Sequence, residues 1–191
     1  MNNFIFENAT KTFFGKGCVK EYLTCLSSRY GQTVMLAYGG GSIKKNGVYD
    51  EVMESLSKAR KNVIEFSGIT ANPTYAKVLE GAKVAREHKV DFILAVGGGS
   101  AIDTAKVIGL GVPYDGDVWD FYSKKAVPVD ALPVGTVMTL PVTGSEGSNG
   151  SVLNNPETGE SADVMADFLR PAFTLMNPDL TLTIPKRQTV F

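Results

Sequence analysis

One stretch of the sequence, residues 90–109, limits the possible folds more than any other. It begins with the apolar run Phe-Ile-Leu-Ala-Val at 92–96, continues with Gly97-Gly98-Gly99-Ser100, and ends in residues of helical character. An unbroken apolar run beside glycine is typical of a parallel strand buried on both faces. Glycines let backbone N–H groups approach a ligand, and a helix start attracts anions. The stretch predicts a strand, a pyrophosphate-binding loop and a helix, although close packing of strand on helix would also explain the glycines.

The same pattern occurs a second time, earlier in the chain. A short apolar run at 34–38 leads into Gly39-Gly40-Gly41-Ser42, and two lysines, Lys44 and Lys45, follow. Cationic side chains beside a glycine loop suit a second anion, such as a monophosphate. An ordinary solvated loop would have the same composition, and both interpretations stay open at this point.

Hydrophobic periodicity elsewhere predicts strands that alternate with helices. Because such alternation implies right-handed βαβ units, we predict an α/β fold, a Rossmann-like parallel sheet with helices on both faces. Both glycine loops then lie at carboxyl ends of strands and face one crevice. A third loop at 141–146, rich in small hydroxyl-bearing residues, suits hydrogen bonding to ribose, amide or phosphate groups, and equally an ordinary polar turn. The other predicted elements are an edge strand or arm at 4–14, helices at 19–30, 48–59 and 75–87, strands at 63–66 and 132–140, two strands at 150–153 and 172–176 joined by a turn at 154–159, and the start of a helix at 183–191.

Composition and charge exclude several classes of function. The chain has 191 residues, of which 43% are hydrophobic and 20% charged, as in ordinary globular domains. Its formal net charge of -1 creates no basic field, so we expect no nucleic-acid partner. The first residues lack the basic and apolar segments of a secretion signal, and no apolar run has the length of a membrane span. We therefore expect a cytoplasmic protein without a membrane partner.

The reactive side chains are few. His88 is the only histidine, so neither a histidine-rich metal site nor an ordinary serine–histidine triad can be built, and its neighbours indicate a cation at a helix end. Cys18 and Cys25 are two helical turns apart, too far for a disulfide, which indicates buried thiols.

Several motifs in order resemble one family, the iron-dependent (group III) alcohol dehydrogenases, and within it the NADP-dependent butanol dehydrogenase branch. The motifs are Phe13-Phe14-Gly15-Lys16-Gly17, Tyr38 to Lys45, Asn72-Pro73, Gly97 to Asp103, Thr139 to Glu146, and Pro185-Lys186-Arg187-Gln188. The resemblance implies the N-terminal domain of the dehydroquinate synthase and iron alcohol dehydrogenase fold over residues 1–191. It implies that Gly97 to Ser100 hold a cofactor pyrophosphate, with Asp103 near the nicotinamide. The full set of expected cofactor-binding residues is Gly39, Gly40, Gly41, Ser42, Lys45, Asn72, Gly97, Gly98, Gly99, Ser100, Asp103, Thr139, Leu140, Thr143 and Ser145.

The coenzyme expected from the resemblance is NADP. NAD-dependent relatives carry an acidic residue after the first glycine-loop strand, where it binds the ribose hydroxyls and would repel a 2′-phosphate. Here that position is Gly39, and Ser42, Lys44 and Lys45 can donate hydrogen bonds and supply positive charge. We therefore expect NADP in preference to NAD.

The resemblance also implies features that lie outside these residues. Family members hold iron or zinc with one aspartate and three histidines in a helical C-terminal domain, so we expect that domain after residue 191 and assign no catalytic residue or metal ligand within the chain. The complete enzyme would interconvert primary alcohols and aldehydes, whereas residues 1–191 alone would bind NADP without turnover. A family lysine that contacts the cofactor is replaced by Ser161.

Two alternative functions stay open, and the sequence also suggests an oligomeric state. A non-catalytic nucleotide-binding or dimerising remnant would also carry these loops, and Ser161 favours it. A glycerol dehydrogenase or dehydroquinate synthase relative would share the fold, but Thr143-Gly144-Ser145-Glu146 and the double lysine argue against it. We expect a homodimer or higher oligomer, in which residues 3–14 form an exchanged arm.

Overall fold

A computed structural model describes residues 3, 7–141 and 143–182. Its core is a sheet of six strands, all parallel, in the order β1-β8-β5-β4-β2-β3. The strands are β1 (Lys11–Phe14), β2 (Thr33–Tyr38), β3 (Asn62–Phe66), β4 (Phe92–Gly97), β5 (Val134–Met138), β6 (Gly150–Asn155), β7 (Glu160–Met165) and β8 (Phe173–Met176). The helices are α1 (Cys18–Ser27), α2 (Ser42–Lys45), α3 (Val48–Lys58), α4 (Tyr75–Glu87), α5 (Gly99–Gly111) and α6 (Trp119–Tyr122), with short 3-10 helices at Asp167–Leu169 and Pro178–Thr181.

Helices cover both faces of the sheet, which confirms the predicted fold class. β5 and β4 lie at its centre, and the apolar residues 92–96 of β4 are all buried. One hydrophobic core joins this sheet to α1 and α3, where Leu23 and Leu56 are fully buried. A second core lies on the opposite face under α4 and α5, around Val78 and Ile102. Burial on both faces is the physical reason that the central strands are continuous apolar runs.

The carboxyl ends of three neighbouring strands bring the three predicted loops together. In the sheet register Tyr38 pairs with Val96, and Gly97 pairs with Met138. β2, β4 and β5 therefore end at the same level, and the loops that follow them leave the sheet side by side. This arrangement is the crevice that parallel α/β sheets offer to ligands.

The prediction that the turn at 154–159 joins the strand at 150–153 to the strand at 172–176 was wrong. The turn at 154–159 does not lead to the strand near 173; it connects β6 to β7, an antiparallel pair that forms a separate two-stranded sheet. β8 instead joins the main sheet between β1 and β5. β7 gives a weak sequence signal because only Val164 of its six residues is buried.

Smaller features were predicted with mixed success. The predicted edge strand at 4–14 corresponds to β1, which pairs with β8 of the same chain; residues 4–6 and the helix predicted at 183–191 lie outside the described residues. His88 ends α4 as expected. Cys18 is buried, but Cys25 is exposed, contrary to the prediction of two buried thiols. Among the described residues, no helix combines the length and apolar character needed to cross a membrane.

Candidate functional site

The three loops line one cavity of about 410 Å³ at the carboxyl edge of the sheet. Gly39 and Ser42 contribute from the loop after β2, the run from Gly97 to Ser100 from the loop after β4, and Thr139, Leu140 and Thr143 from the loop after β5. Segments from three separate strands therefore converge on one open cleft, as the sequence predicted.

Close packing explains why the loop after β4 is made of glycine. Gly98 has φ -93°, a value that other residues adopt, yet a Cβ there would approach the Leu140 side chain to 3.2 Å. A Cβ on Gly99 would overlap the Thr143 side chain. The loops after β4 and β5 therefore touch, and the residues in contact line the cavity. The packing explanation of these glycines holds together with a ligand-binding role.

Ser100 occupies a different place from the helix cap that its position suggested. α5 begins one residue earlier, at Gly99, and the Ser100 hydroxyl accepts a hydrogen bond of 3.1 Å from the backbone N–H of Asn72. Asn72 has φ 63°, a left-handed conformation that asparagine tolerates better than most residues. The first amides of α5 have no acceptor within the helix and lie at the cavity, where an anion would be stabilised.

A second cavity of about 530 Å³, the polar cavity, adjoins the first and is lined mostly by polar residues. The two share Gly99, Ser100 and Thr143 as lining residues. Predicted site residues in the second cavity are Asn72, Asp103 and Ser145. Further lining residues, which the sequence did not single out as part of the site, come from the β6–β7 hairpin and include Ser151, Asn154 and Asp163; Ser161 also lines this cavity. A long ligand could occupy both cavities across the start of α5.

Asp103 is a half-buried acid that lines the second cavity. Its carboxylate accepts hydrogen bonds from the Ser145 hydroxyl and, at 3.3 Å, from the Val152 backbone N–H. Burial raises the pKa of the Asp103 carboxyl, and the hydrogen bond from Ser145 and the charge of Lys106 oppose that rise. The aspartate therefore connects three elements: α5, the loop after β5 and β6.

Lys106 is a site-supporting residue that the sequence analysis missed. It lies one turn beyond Asp103 on α5 and is fully buried. Its ammonium donates to the carbonyl oxygens of Ser145, Ser148 and Gly150 at 2.7, 3.0 and 2.9 Å, and contacts the Ser148 hydroxyl at 3.2 Å. Burial lowers the pKa of Lys106 to about 8, against the opposing effect of Asp103 and Glu146. Its sequence signal is that, apart from Ser100, Asp103 and Thr104, the other residues of α5 are apolar or glycine, which leaves a lysine little exposed surface.

The second glycine loop is placed only partly as expected. Gly39 and Ser42 line the first cavity, whereas Gly40, Gly41 and Lys45 are exposed and lie outside both cavities formed by the described residues. A Cβ on Gly39 would lie 3.1 Å from the Ile69 carbonyl oxygen, so a larger residue there would crowd the loop after β3. That crowding is a structural reason for the glycine, independent of any ligand.

The described residues do not form a metal centre. Nowhere in 7–141 and 143–182 do three or more histidine, cysteine, aspartate or glutamate side chains come together in an arrangement that could hold a metal ion. The two carboxylates that line the second cavity, Asp103 and Asp163, lie on different elements, α5 and β7. These residues therefore do not fit a metal of the kind that the resemblance implies.

Comparison with known proteins identifies the family. The family model for iron-containing alcohol dehydrogenase matches residues 9–178. A Bacillus subtilis protein named "Probable NADH-dependent butanol dehydrogenase 2" is 49% identical over 191 residues, and the NADPH-dependent aldehyde reductase YqhD of Escherichia coli is 37% identical over 191 residues. The alignments cover 100% and 98% of this chain but 49% and 48% of those relatives.

A solved structure agrees. The crystal structure of NADH-dependent butanol dehydrogenase A from Thermotoga maritima superimposes with a TM-score of 0.95 at 41% identity, covering 100% of this chain and 48% of that one. The chain thus spans about half the length of the relatives it matches, and the matched half is their N-terminal α/β domain. On this evidence the chain belongs to the iron-containing alcohol dehydrogenase family.

Proposed function

We propose that the paired cavities bind a nicotinamide dinucleotide. The pyrophosphate would lie against Gly97 to Ser100 at the start of α5, and the adenosine ribose against Gly39 and Ser42. The nicotinamide would extend into the polar cavity beside Asp103 and Ser145. The observation that carries this proposal is that both Gly-Gly-Gly-Ser loops and the loop after β5 border one cleft, which continues into the polar cavity. Residues 1–191 would form one dinucleotide-binding domain.

The proposed reaction is interconversion of primary alcohols and aldehydes by hydride transfer to or from the coenzyme. Support comes from family membership and from relatives named as butanol dehydrogenases and an aldehyde reductase. Within the domain, Thr139, Leu140 and Thr143 would orient the dinucleotide, and the hydrogen-bonded Asp103–Ser145 pair would border the nicotinamide. We propose iron or zinc for the complete enzyme, held by residues other than those that the structure describes.

We propose NADP as the preferred coenzyme. Gly39 presents no carboxylate to the adenosine ribose, and the 3.1 Å approach to Ile69 leaves little room for one. Ser42 lines the cleft and Lys45 is exposed on the same short helix, so a hydroxyl and a positive charge are close to the expected 2′-phosphate. The relatives include proteins named for NADH and one named for NADPH. The preference is therefore argued from this chain's own residues.

Calorimetric titration of the purified protein with NADP+ and with NAD+ tests the binding proposal. We expect saturable binding of one dinucleotide per chain, with NADP+ binding more tightly. An absence of saturable binding of either dinucleotide up to millimolar concentration would contradict the proposed function. Tighter binding of NAD+ would leave the binding site standing and overturn only the coenzyme assignment.

A second candidate function is a nucleotide-binding domain without turnover of its own. Ser161 lines the polar cavity with a neutral side chain, and the described residues provide no metal cluster. An assay of butanal reduction with NADPH, in the presence of Fe²⁺ or Zn²⁺, separates the two candidates. We expect residues 1–191 by themselves to bind the coenzyme without measurable aldehyde reduction, and turnover by this chain alone would contradict that expectation.

We also propose that the protein is a homodimer. β1 is an edge strand of the main sheet, with no described strand on its outer side, and Phe14 at its end is 73% exposed, so an apolar side chain lies at that edge. Light scattering coupled to size-exclusion chromatography should give twice the chain mass, and a monomer mass would contradict the proposal. The predicted cytoplasmic location stays a prediction.

A further inference from the structure

A charged cluster outside both cavities joins the ends of β2 and β3 to the helices α2 and α3. At its centre is Glu65 of β3, whose two carboxylate oxygens accept hydrogen bonds of 2.6 Å from the hydroxyls of Tyr38 and Tyr49. The Lys44 ammonium lies 3.5 Å from the oxygen that Tyr38 also contacts. The hydrogen bond from Tyr38, and then that from Tyr49, hold the pKa of Glu65 below its usual range, so this carboxylate is ionised at neutral pH.

The same cluster determines where the Lys44 side chain points. Its ammonium lies 4.4 Å from the centre of the Tyr49 ring and 5.5 Å from that of Tyr38, and both distances are typical of cation–π contacts. One carboxylate and two aromatic faces thus hold this cation toward β3. Glu65 is itself held by two tyrosine hydroxyls, so the arrangement is more ordered than an isolated surface ion pair.

Lys44 is also close to the proposed coenzyme site. It follows directly on Ser42 and Ile43, both of which line the first cavity, in the four-residue helix α2. The sequence analysis counted Lys44 among the cations that favour a 2′-phosphate. In the structure the charge of Lys44 is partly compensated by Glu65. The second lysine of this helix is Lys45.

We propose that Glu65 is a positioning residue that sets coenzyme selectivity: by holding Lys44 toward β3, it limits the attraction of the glycine loop after β2 for a 2′-phosphate. This inference rests on the proposed dinucleotide site. The physical step is electrostatic: a cation paired with a carboxylate attracts a second anion less than a free cation does. Releasing Lys44 should strengthen binding of NADP+ and leave binding of NAD+, which lacks the 2′-phosphate, nearly unchanged.

The expected effect is modest because the pair is partly exposed, with side-chain exposures of 48% for Lys44 and 41% for Glu65. Exposed ion pairs have coupling energies that correspond to a change in affinity of about two- to fivefold. We therefore expect Glu65→Gln to raise the ratio of NADP+ to NAD+ affinity by about two- to fivefold at low ionic strength. The rise should shrink in 0.5 M salt, because salt screens exposed charges.

The test is calorimetric titration of NADP+ and NAD+ into the wild-type protein and five variants. Glu65→Gln removes the carboxylate charge, and Glu65→Asp keeps it and should restore most of the wild-type ratio. Glu54→Gln is the matched control, since Glu54 pairs with Lys58 at 2.6 Å on α3, outside both cavities, and should leave the ratio unchanged. In a Lys44→Met background, Glu65→Gln should no longer alter the ratio.

The outcomes separate this inference from the proposed function. A ratio that rises with Lys44 present and stays constant in the Lys44→Met background supports the inference. A rise of equal size in both backgrounds, an unchanged ratio, or an equal loss of affinity for both dinucleotides would overturn it, because none of these results requires the tether on Lys44. In those three cases dinucleotide binding by the wild-type protein would still stand. If the wild-type protein bound neither dinucleotide, the proposed function and this inference would both fail.

Discussion

Gly99 and Gly40 belong to the two Gly-Gly-Gly-Ser motifs, one to each, but have different surroundings. A Cβ on Gly99 would overlap Thr143, whereas a Cβ on Gly40 would point into open space among the described residues. We expect Gly99→Ala to lower the free energy of unfolding by about 1–3 kcal/mol, as overpacking does, and to weaken NADP+ binding through displacement of the Thr143 loop.

Gly40→Ala provides the comparison for this prediction. Its free energy of unfolding should change by less than about 0.5 kcal/mol, because the new methyl group contacts little. Urea unfolding followed by circular dichroism measures both variants. Equal stability of the two would show that the loops after β4 and β5 do not pack as closely as the structure indicates.

The buried ammonium of Lys106 predicts a pH dependence of stability. Its pKa is about 8 in the folded protein and about 10.4 in an unfolded chain. Between these values the unfolded state binds more protons, so the contribution of Lys106 to the free energy of unfolding rises with pH. The free energy of unfolding of the wild-type protein minus that of Lys106→Met should therefore rise by about 2 kcal/mol from pH 7 to pH 10.

Comparison with Lys106→Met removes the effect of other groups from this measurement. Burial, and to a smaller extent the hydrogen bond to the Asp117 carboxylate, raise the pKa of Tyr75 to about 12. This shift lowers the free energy of unfolding above pH 10, but it does so equally in the wild-type protein and in Lys106→Met. Urea unfolding at several pH values gives the difference. A constant difference across this range would mean that Lys106 keeps its proton in the folded state throughout.

At the scale of elements, two neighbouring residues of the β6–β7 hairpin differ in burial. Leu153 is fully buried against the core beside α5, whereas Val152 is 42% exposed. We expect Leu153→Ala to cost about 2–4 kcal/mol of unfolding free energy and Val152→Ala less than about 1 kcal/mol. Urea unfolding measures both, and a similar cost for the two would contradict the observed register of the hairpin.

Elements with regular apolar patterns were predictable, and those stabilised by tertiary contacts were not. The run at 92–96 is buried on both faces and was predicted as β4, and the spacing of apolar residues located α1, α3 and α4. β7 lacks that signal, because its pairing with β6 and a single buried Val164 define it. The four-residue helix α2 is too short to show a helical period.

The same distinction holds in the candidate site. The glycine loops could be predicted because their composition is local, and so could their common edge, because parallel strands alternate with helices. Lys106 could not be assigned, since three carbonyl oxygens about 40 residues further along the chain accept its hydrogen bonds. The hydrogen bond between Tyr38 and Glu65 likewise depends on the register of β2 against β3.

At the scale of the whole molecule, coenzyme binding should stabilise the fold. A ligand that binds only the folded state at 100 times its Kd adds about 2.7 kcal/mol. For a chain of this size that corresponds to a rise in Tm of about 5 °C or more. Differential scanning calorimetry with NADP+, compared with an equal concentration of nicotinamide alone, measures the shift, and equal Tm values in the two samples would contradict the proposed site.

The central claim is that the cleft bordered by the three loops holds a phosphorylated dinucleotide. A crystal structure of the protein grown with NADP+ tests it most directly. We predict the pyrophosphate within hydrogen-bond distance of the backbone N–H groups at Gly98 to Ser100, the 2′-phosphate near Ser42, and the nicotinamide beside Asp103. A dinucleotide bound elsewhere on the molecule, or these loops bordering an empty cleft at saturating NADP+, would contradict the account.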